Sequence, residues 1–516
     1  MRTVLLGFLA AIALLALAGC GGEAEVAQPG TQPVASPTAV GTELAEKAEV
    51  TQSATQPVAS PTVAATELPE QTEVAQPATP LAALPTAVET EPAEQAEVTQ
   101  PATQPVALPT AVETELPEQA DVAQSEMLRV TSPAVSEADL AELVAGNSAF
   151  AFDLYQAVRA NPGNLLYSPY SISLALAMTY AGAEGETKQQ MADTFSFTLP
   201  DDRLNPAFNA LDLELARRGE ASPSSGDFRF QLNIANAIWG QKGYPFLAEF
   251  LDVLAQNYGA GLRLLDFASA PEESRLAIND WVGEQTEGKI PDLMPQGVID
   301  DLTRLVLTNA IYFNAAWAFP FEPQDTEDGP FHLLDGGEVS VPMMKQSKEF
   351  GYAEGAGYQA VSLPYGVSGV SMVLLVPQAG QFEAFESSLN AERVDAIVKA
   401  LERWSVTLSM PKFDFESSFD LGETLEMMGM PDAFSATADF SGMTGSRELF
   451  ISAVVHKAFI SVDEEGTEAA AATAVGMPAS AAGHADLTVD RPFVFLIRDY
   501  ETGAILFAGR VVNPAA

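Results

Sequence analysis

Aromatic residues divide this 516-residue chain into a part that can build a core and a part that cannot. After Phe8 none occurs until Phe150, and from there they are frequent. Aromatic side chains dominate core energetics. Glycine is also scarce between Glu23 and Glu126. Only the chain after about Ser136 can close a hydrophobic core, and its length of roughly 380 residues suffices for one large domain.

Charge follows the same division. The net charge is −45. Positions 1–126 carry 17 acidic and 2 basic residues, leaving 53 acidic against 23 basic in the remainder. A surface this acidic argues against nucleic acid, which needs basic patches to displace counterions. It argues equally against a heparin-like polyanion. Solubility by self-repulsion accounts for the charge without any acidic site. Cys20 is the sole cysteine, so neither an intrachain disulfide nor a cysteine-based metal site is available. His332, His456 and His484 have no metal-ligand spacing. No cofactor or metal is expected.

The chain starts Met1-Arg2, followed by an apolar run from Val4 to Leu17. That run is too short for a comfortable membrane span. It ends in Leu17-Ala18-Gly19-Cys20, and small residues at this point mark a secretory cleavage site. A cysteine directly after Leu-Ala-Gly resembles the bacterial lipobox. The resemblance implies a signal peptide over 1–19, cleavage before Cys20, and lipid on the Cys20 thiol and new amino group. The expected location is extracytoplasmic, anchored to an envelope membrane. Stable anchoring requires more than one acyl chain, which such cysteines carry. A plain signal peptide with an incidental cysteine is the other reading.

Glu25-Val26, Glu49-Val50, Glu73-Val74, Glu97-Val98 and Asp121-Val122 recur with a period of 24. Such a period raises a solenoid. Each copy, however, has two or more prolines, no aromatic and too few large aliphatics to stack. Residues 20–135 therefore read as an extended, disordered, acidic stalk. At about 3.1 Å per residue it reaches at most on the order of 300 Å. It reads either as a tether, releasable by proteolysis, or as a slippage-expanded repeat of no special length.

Within 136–516 the motifs come in a fixed order. Asn147 to Tyr155 has helical apolar spacing. Asn164-Leu165-Leu166-Tyr167-Ser168-Pro169-Tyr170-Ser171-Ile172 reads as a short strand and a Ser-Pro helix start, and Gly182-Ala183 ends that helix. Then come Leu232 to Trp239, a strand; Ile278-Asn279-Asp280-Trp281 with Thr286-Glu287-Gly288-Lys289-Ile290; and Leu307-Thr308-Asn309-Ala310-Ile311-Tyr312-Phe313 with Trp317. Met410-Pro411-Lys412-Phe413, Val455-His456-Lys457-Ala458 and Gly503 to Val511 with Asn513-Pro514 complete the set.

One gap stands out. Between the strands Phe459-Ile460-Ser461-Val462 and Phe493 to Arg498 lie roughly thirty residues without an aromatic. Structureless loops of that length are usually functional or disordered. The gap opens with Asp463-Glu464-Glu465-Gly466-Thr467-Glu468-Ala469-Ala470-Ala471-Ala472-Thr473.

This ordered set resembles the serpin family over about residues 140–514, and the Gly-Thr-Glu-Ala-Ala-Ala-Ala run resembles the hinge of its inhibitory members. The resemblance implies an α+β fold with one large central β-sheet, smaller sheets, about nine helices and an exposed reactive-centre loop. It implies inhibition of a serine protease by a suicide-substrate route. The protease cuts the loop, and the hinge, Glu464 to Thr473, enters the central sheet as a new strand. Thr467, Ala469, Ala471 and Thr473, or their neighbours if the register slips, would then face the buried side, and those four are small and uncharged. No proline lies between Glu464 and Met477 to remove a ladder donor. A helical or merely flexible alanine loop is the competing reading.

The family's scissile bond falls about sixteen residues past Glu464, at Ser480, with Ala481 following. Counting back from Pro492 gives Ala481 instead, and Met477 and Ala479 are fallback sites. Met477, Pro478, Ala479 and Ala482 complete a small-residue bait, and no Arg or Lys lies between Lys457 and Arg491. The expected target is elastase-like or subtilisin-like rather than trypsin-like, and the inhibitor a monomer. Ser168, Ser171, Asn309 and His456 match the family's buried polar cluster where the central strands part. Trp317 matches the tryptophan near the top of that opening, with plain core packing as the alternative. A Ser-His-Asp enzyme is disfavoured, because no Gly-x-Ser-x-Gly elbow occurs. A lipid-anchored adhesion or binding module that kept the fold without inhibiting is the remaining alternative.

Overall fold

The structure is a computed structural model that describes residues 120–220, 230–366, 369–467 and 483–516. Cys20, the repeats before Ala120, and Glu468 to Ala482 lie outside the described residues.

The strands in chain order are β1 (Asp121–Ala123), β2 (Leu165–Tyr167), β3 (Phe230–Gln241), β4 (Leu262–Leu265), β5 (Leu305–Ala316), β6 (Glu327–His332), β7 (Glu338–Gly355) and β8 (Tyr358–Pro364). They continue as β9 (Val370–Pro377), β10 (Glu402–Pro411), β11 (Phe413–Asp420), β12 (Ile451–Val462), β13 (Gly466–Thr467), β14 (His484–Thr488), β15 (Phe493–Asp499) and β16 (Ile505–Val511). The helices are α1 (Glu137–Val158), α2 (Pro169–Tyr180), α3 (Gly185–Phe195), α4 (Asp201–Glu220), α5 (Ala248–Val253), α6 (Pro271–Gln285), α7 (Phe382–Ser387), α8 (Ala391–Lys399), α9 (Gly422–Met428) and α10 (Ser441–Thr444).

The expected α+β fold is present. A seven-stranded sheet runs β1-β4-β3-β5-β13-β12-β11, and a nine-stranded sheet runs β14-β10-β7-β8-β9-β15-β16-β2 with β6 on β7. Ten α-helices lie among the described residues, against about nine expected.

The seven-stranded sheet is buried on both faces at β5, whose residues are all buried and apolar except Thr308, Asn309 and Asn314. Leu305, Leu307, Ile311 and Phe313 enter the main core, while Val306 and Ala310 enter a smaller core under α6 with Ile278 and Val282. Helix α2 lies on the main-core face, against β3 and β5 on one side and β16 on the other. Every residue of α2 is buried. Its start is fixed by Ser168, whose Oγ accepts the Ser171 N–H at 3.1 Å, and by Pro169 in the first turn.

The stalk predicted to run through residue 135 is not continuous to that point. Asp121–Ala123 pairs antiparallel with β4, and Asn209 of α4 donates to the Val130 carbonyl at 2.7 Å. Arg129 forms an ion pair with Asp212 at 2.6 Å. The last repeat copy differs from the others in the residues on its C-terminal side. Arg129 stands where the earlier copies carry Pro33, Pro57, Leu81 and Pro105, and Val122 alone would not have revealed this.

Candidate functional site

The site lies where β5 and β12 separate. The two strands pair directly and in parallel from Leu305 with Ile451 to Tyr312 with Phe459. Beyond that point the chain leaves β12 at Val462, reverses, and returns as β13. Thr467 pairs with Val462 on one side and Ala315 on the other, and Gly466 pairs with Ala316. Two residues of the predicted hinge therefore already sit between the strands that would have to part.

The reversal is held by its own residues. Asp463 Oδ1 accepts the N–H groups of Glu465 at 2.9 Å and Gly466 at 3.2 Å. Such side-chain-to-backbone bonds are the usual way an aspartate closes a turn. The Trp317 N–H donates to the Glu465 carbonyl at 2.9 Å and the Phe321 N–H to the Glu464 carbonyl at 2.8 Å. A Cβ at Gly466 would meet the Ala315 carbonyl oxygen at 2.3 Å, so glycine is required by close approach.

Side chains lock the same turn. Glu464 is buried and accepts from Lys412 Nζ at 2.6 Å and from Thr326 Oγ1 at 2.8 Å. Burial alone would raise its carboxyl, but these partners outweigh burial and hold it below the ordinary glutamate value. Trp317 donates through Nε1 to the Asp463 carbonyl at 3.0 Å and stacks on Tyr365, centroids 4.6 Å apart and rings 9° from parallel. Tyr365 OH lies 2.8 Å from Thr467 Oγ1. Burial pushes the Tyr365 phenol well up, so it stays neutral as a hydrogen-bonding group. Thr467 is wholly buried.

Lower along the seam the structure brings Ser168, Ser171, Asn309 and His456 together, all essentially without exposure. His456 Nε2 accepts the Ser168 N–H at 3.2 Å. The ring proton therefore sits on Nδ1, which donates to Asn309 Oδ1. Asn309 Nδ2 bridges to Ser171 Oγ at 2.8 Å and to Asn236 Oδ1 at 2.6 Å. Asn236 in turn donates to the Ser171 carbonyl at 3.0 Å. The network ties β3, β5 and β12 to the start of α2. Burial drives the His456 imidazole down to about 3, so it is neutral at ordinary pH. With both ring nitrogens engaged and no contact to Asp463, it has no geometry for a catalytic base.

Thr326, Asn236, Tyr365 and Lys412 of this site escaped the sequence. Asn236 is the cross-strand partner of Asn309, a register that no local pattern gives. Tyr365 lies just past β8 and reaches Trp317 only through the fold. Lys412 sits at the junction of β10 and β11, where its motif Met410-Pro411-Lys412-Phe413 marks a strand but not a hinge partner.

Comparison with known proteins agrees with this geometry. The serpin (serine protease inhibitor) family model matches residues 145–514. Leukocyte elastase inhibitor A of Rattus norvegicus is 41% identical over 388 residues, covering 73% of this chain and 100% of the relative. An uncharacterized serpin-like protein of Thermococcus kodakarensis is 42% identical over 371 residues, covering 71% and 84% respectively. The native-state crystal structure of the thermophilic serpin tengpin superposes with a TM-score of 0.66 at 29% identity, covering 77% of this chain and 100% of tengpin. The chain belongs to the serpin family.

Proposed function

We propose that this chain inhibits serine proteases as a suicide substrate. The observation that carries the reading is β13. Gly466 and Thr467 already pair between β5 and β12, so the hinge has a register from which the rest can follow. On insertion Ala469, Ala471 and Thr473 would take the inward face, and none is large or charged.

The protease serine attacks the carbonyl of Ser480, and the amine of Ala481 leaves, giving an acyl-enzyme. The cut loop then inserts as a strand before water removes the acyl group, and release of stored strain drives that insertion. The native state is thus held by kinetics rather than by equilibrium. The small bait from Met477 to Ala482 suits a shallow specificity pocket. Similarity to leukocyte elastase inhibitors supports an elastase-like target, and a subtilisin-like protease fits the same bait.

The reading is tested by mixing the protein with elastase and with subtilisin. An SDS-resistant complex of inhibitor plus protease is expected, with the small C-terminal fragment starting at Ala481 by mass. Cleaved fragments without complex would refute inhibition. Thr467→Arg should convert the inhibitor to a substrate, because a guanidinium cannot replace a buried threonine beside Tyr365.

We further propose that Cys20 is lipidated and that the repeats hold the domain outside the cell on a tether. Metabolic labelling with palmitate tests this: label on the wild type and none on Cys20→Ala is the expected result.

A further inference from the structure

The chain re-enters the nine-stranded sheet on a tryptophan. Val406, Leu408 and Met410 of β10 are fully buried, and Trp404 is the next residue on that side, half exposed where the core opens to solvent. It packs on Tyr352 of β7, ring centroids 5.3 Å apart. Gly483, the residue that enters β14, lies against the indole. A Cβ there would come within 2.9 Å of Trp404 Cζ3 and 3.1 Å of Cε3, so any side chain would have to displace the ring. The Ser405 N–H donates to the Gly483 carbonyl at 2.9 Å and holds it in place. The indole Nε1–H has no hydrogen-bond partner among the described residues.

Position brings this ring within reach of a bound protease. Gly483 is the third residue after Ser480. Three residues span at most about 11 Å. A protein footprint of about 800 Å² per partner extends about 16 Å from its centre. A protease closed on the Ser480–Ala481 bond therefore has Trp404 within its radius. On the opposite face of β10 the polar groups answer one another. Arg403 pairs with Glu349 at 3.1 Å, His484 Nε2 lies 3.4 Å from Asp486, and Ser347 Oγ donates to Thr407 Oγ1 at 3.2 Å. Among these residues Trp404 alone combines an apolar face with an unused donor, the combination that enriches tryptophan at interface hot spots.

We propose that Trp404 is a docking and specificity residue for the target protease. Its indole face receives an apolar wall on the side of the enzyme that holds the leaving segment, and its Nε1–H donates to a main-chain carbonyl there. The proposal rests on the reading of Ser480–Ala481 as the bond that is cut, and it places part of the selection outside the small bait. An enzyme that presents a carboxylate at this point would desolvate it against the negative face of the ring, and is selected against. Gly483 keeps the loop close to the indole, so bait and ledge meet the enzyme together.

The test uses subtilisin whose catalytic serine is replaced by alanine, so that docking is measured without cleavage or insertion. Its affinity for the full chain is compared by surface plasmon resonance across wild type, Trp404→Phe and Trp404→Ala. Trp404→Phe keeps a ring against Gly483 and lacks the donor, and should dock about two- to tenfold more weakly. Trp404→Ala should dock more than about tenfold more weakly. With active subtilisin the rate of complex formation should fall in the same order. The ratio of SDS-stable complex to cleaved inhibitor should stay as in wild type, because the ring takes no part in insertion; a merely structural role would lower that ratio and leave docking as it was. Should Trp404→Ala fold poorly, the comparison of wild type with Trp404→Phe decides. Wild-type docking by a folded Trp404→Ala, by Trp404→Phe where the alanine variant is unfolded, or no docking of wild type by about 1 mM would overturn the proposal. Weakened docking by the variants, with no SDS-stable complex from wild type, would keep Trp404 as a docking residue and refute inhibition instead.

Discussion

Lys412 Nζ lies 2.6 Å from Glu464 Oε2 and ties the first residue of the hinge to the junction of β10 and β11. The Glu464 side chain is 11% exposed and that of Lys412 is 37% exposed, so the pair is neither fully buried nor freely screened. Glu464→Gln and Lys412→Met should each lower the unfolding midpoint of the native state. The coupling from the double-mutant cycle in urea should be about 1–2 kcal/mol. A coupling indistinguishable from zero would mean that Thr326 alone holds Glu464.

Gly466→Ala places a methyl group against the Ala315 carbonyl and the Ala316 Cα. Relief of that overlap costs about 1–3 kcal/mol. The two-residue wedge should loosen, and insertion after cleavage should slow by on the order of tenfold. The measurement is the ratio of SDS-stable complex to cleaved inhibitor, which should fall. An unchanged ratio would separate the wedge from the rate of insertion.

His456 is neutral in the folded state, with its pKa pushed to about 3 from an unfolded value of 6.5. Between those values the unfolded chain binds a proton that the native chain does not. Native stability is therefore complete above about pH 6.5 and is lost as pH falls toward 3. The loss amounts to roughly 1.4 kcal/mol per pH unit inside that window from this group. His456→Gln should flatten the slope of urea midpoint against pH between pH 6 and 4, and leave the slope above pH 7 as in wild type. A variant with the wild-type slope would place the acid sensitivity in the carboxylates.

Lys289 Nζ sits 5.6 Å from the Tyr312 ring and 6.0 Å from the Phe459 ring, over the last pair that joins β5 directly to β12. A cation–π contact of this kind is worth about 0.5–1 kcal/mol. Lys289→Met should let the seam open two- to five-fold faster, within the same range. Trapping of an added peptide of the hinge sequence, followed by native electrophoresis, would measure it. An unchanged trapping rate would make Lys289 a surface residue.

Much of this site was legible from residue order alone. Ser168-Pro169 marked a helix start, and the small side chains from Gly466 to Thr473 marked a segment able to become a strand. Thr467 is buried between β5 and β12. What stayed hidden depends on register across strands. Asn236 meets Asn309 only because β3 and β5 align there, and Tyr365 meets Trp317 only through the junction of two sheets. The ordered start of the domain was hidden for another reason. Asp121–Ala123 has the composition of a repeat, and it becomes a strand because β4 offers it an edge.

That edge has a consequence for life in a crowd. An unpaired sheet margin is a template on which neighbouring copies can add. Here the lead-in covers β4, while Phe230 to Ile238 of β3 pair only with β5 among the described residues. The new rim is three residues long, and its first residue, Asp121, is engaged by Lys242 at 2.7 Å. So short and charged a rim gives a second molecule little to copy at β4.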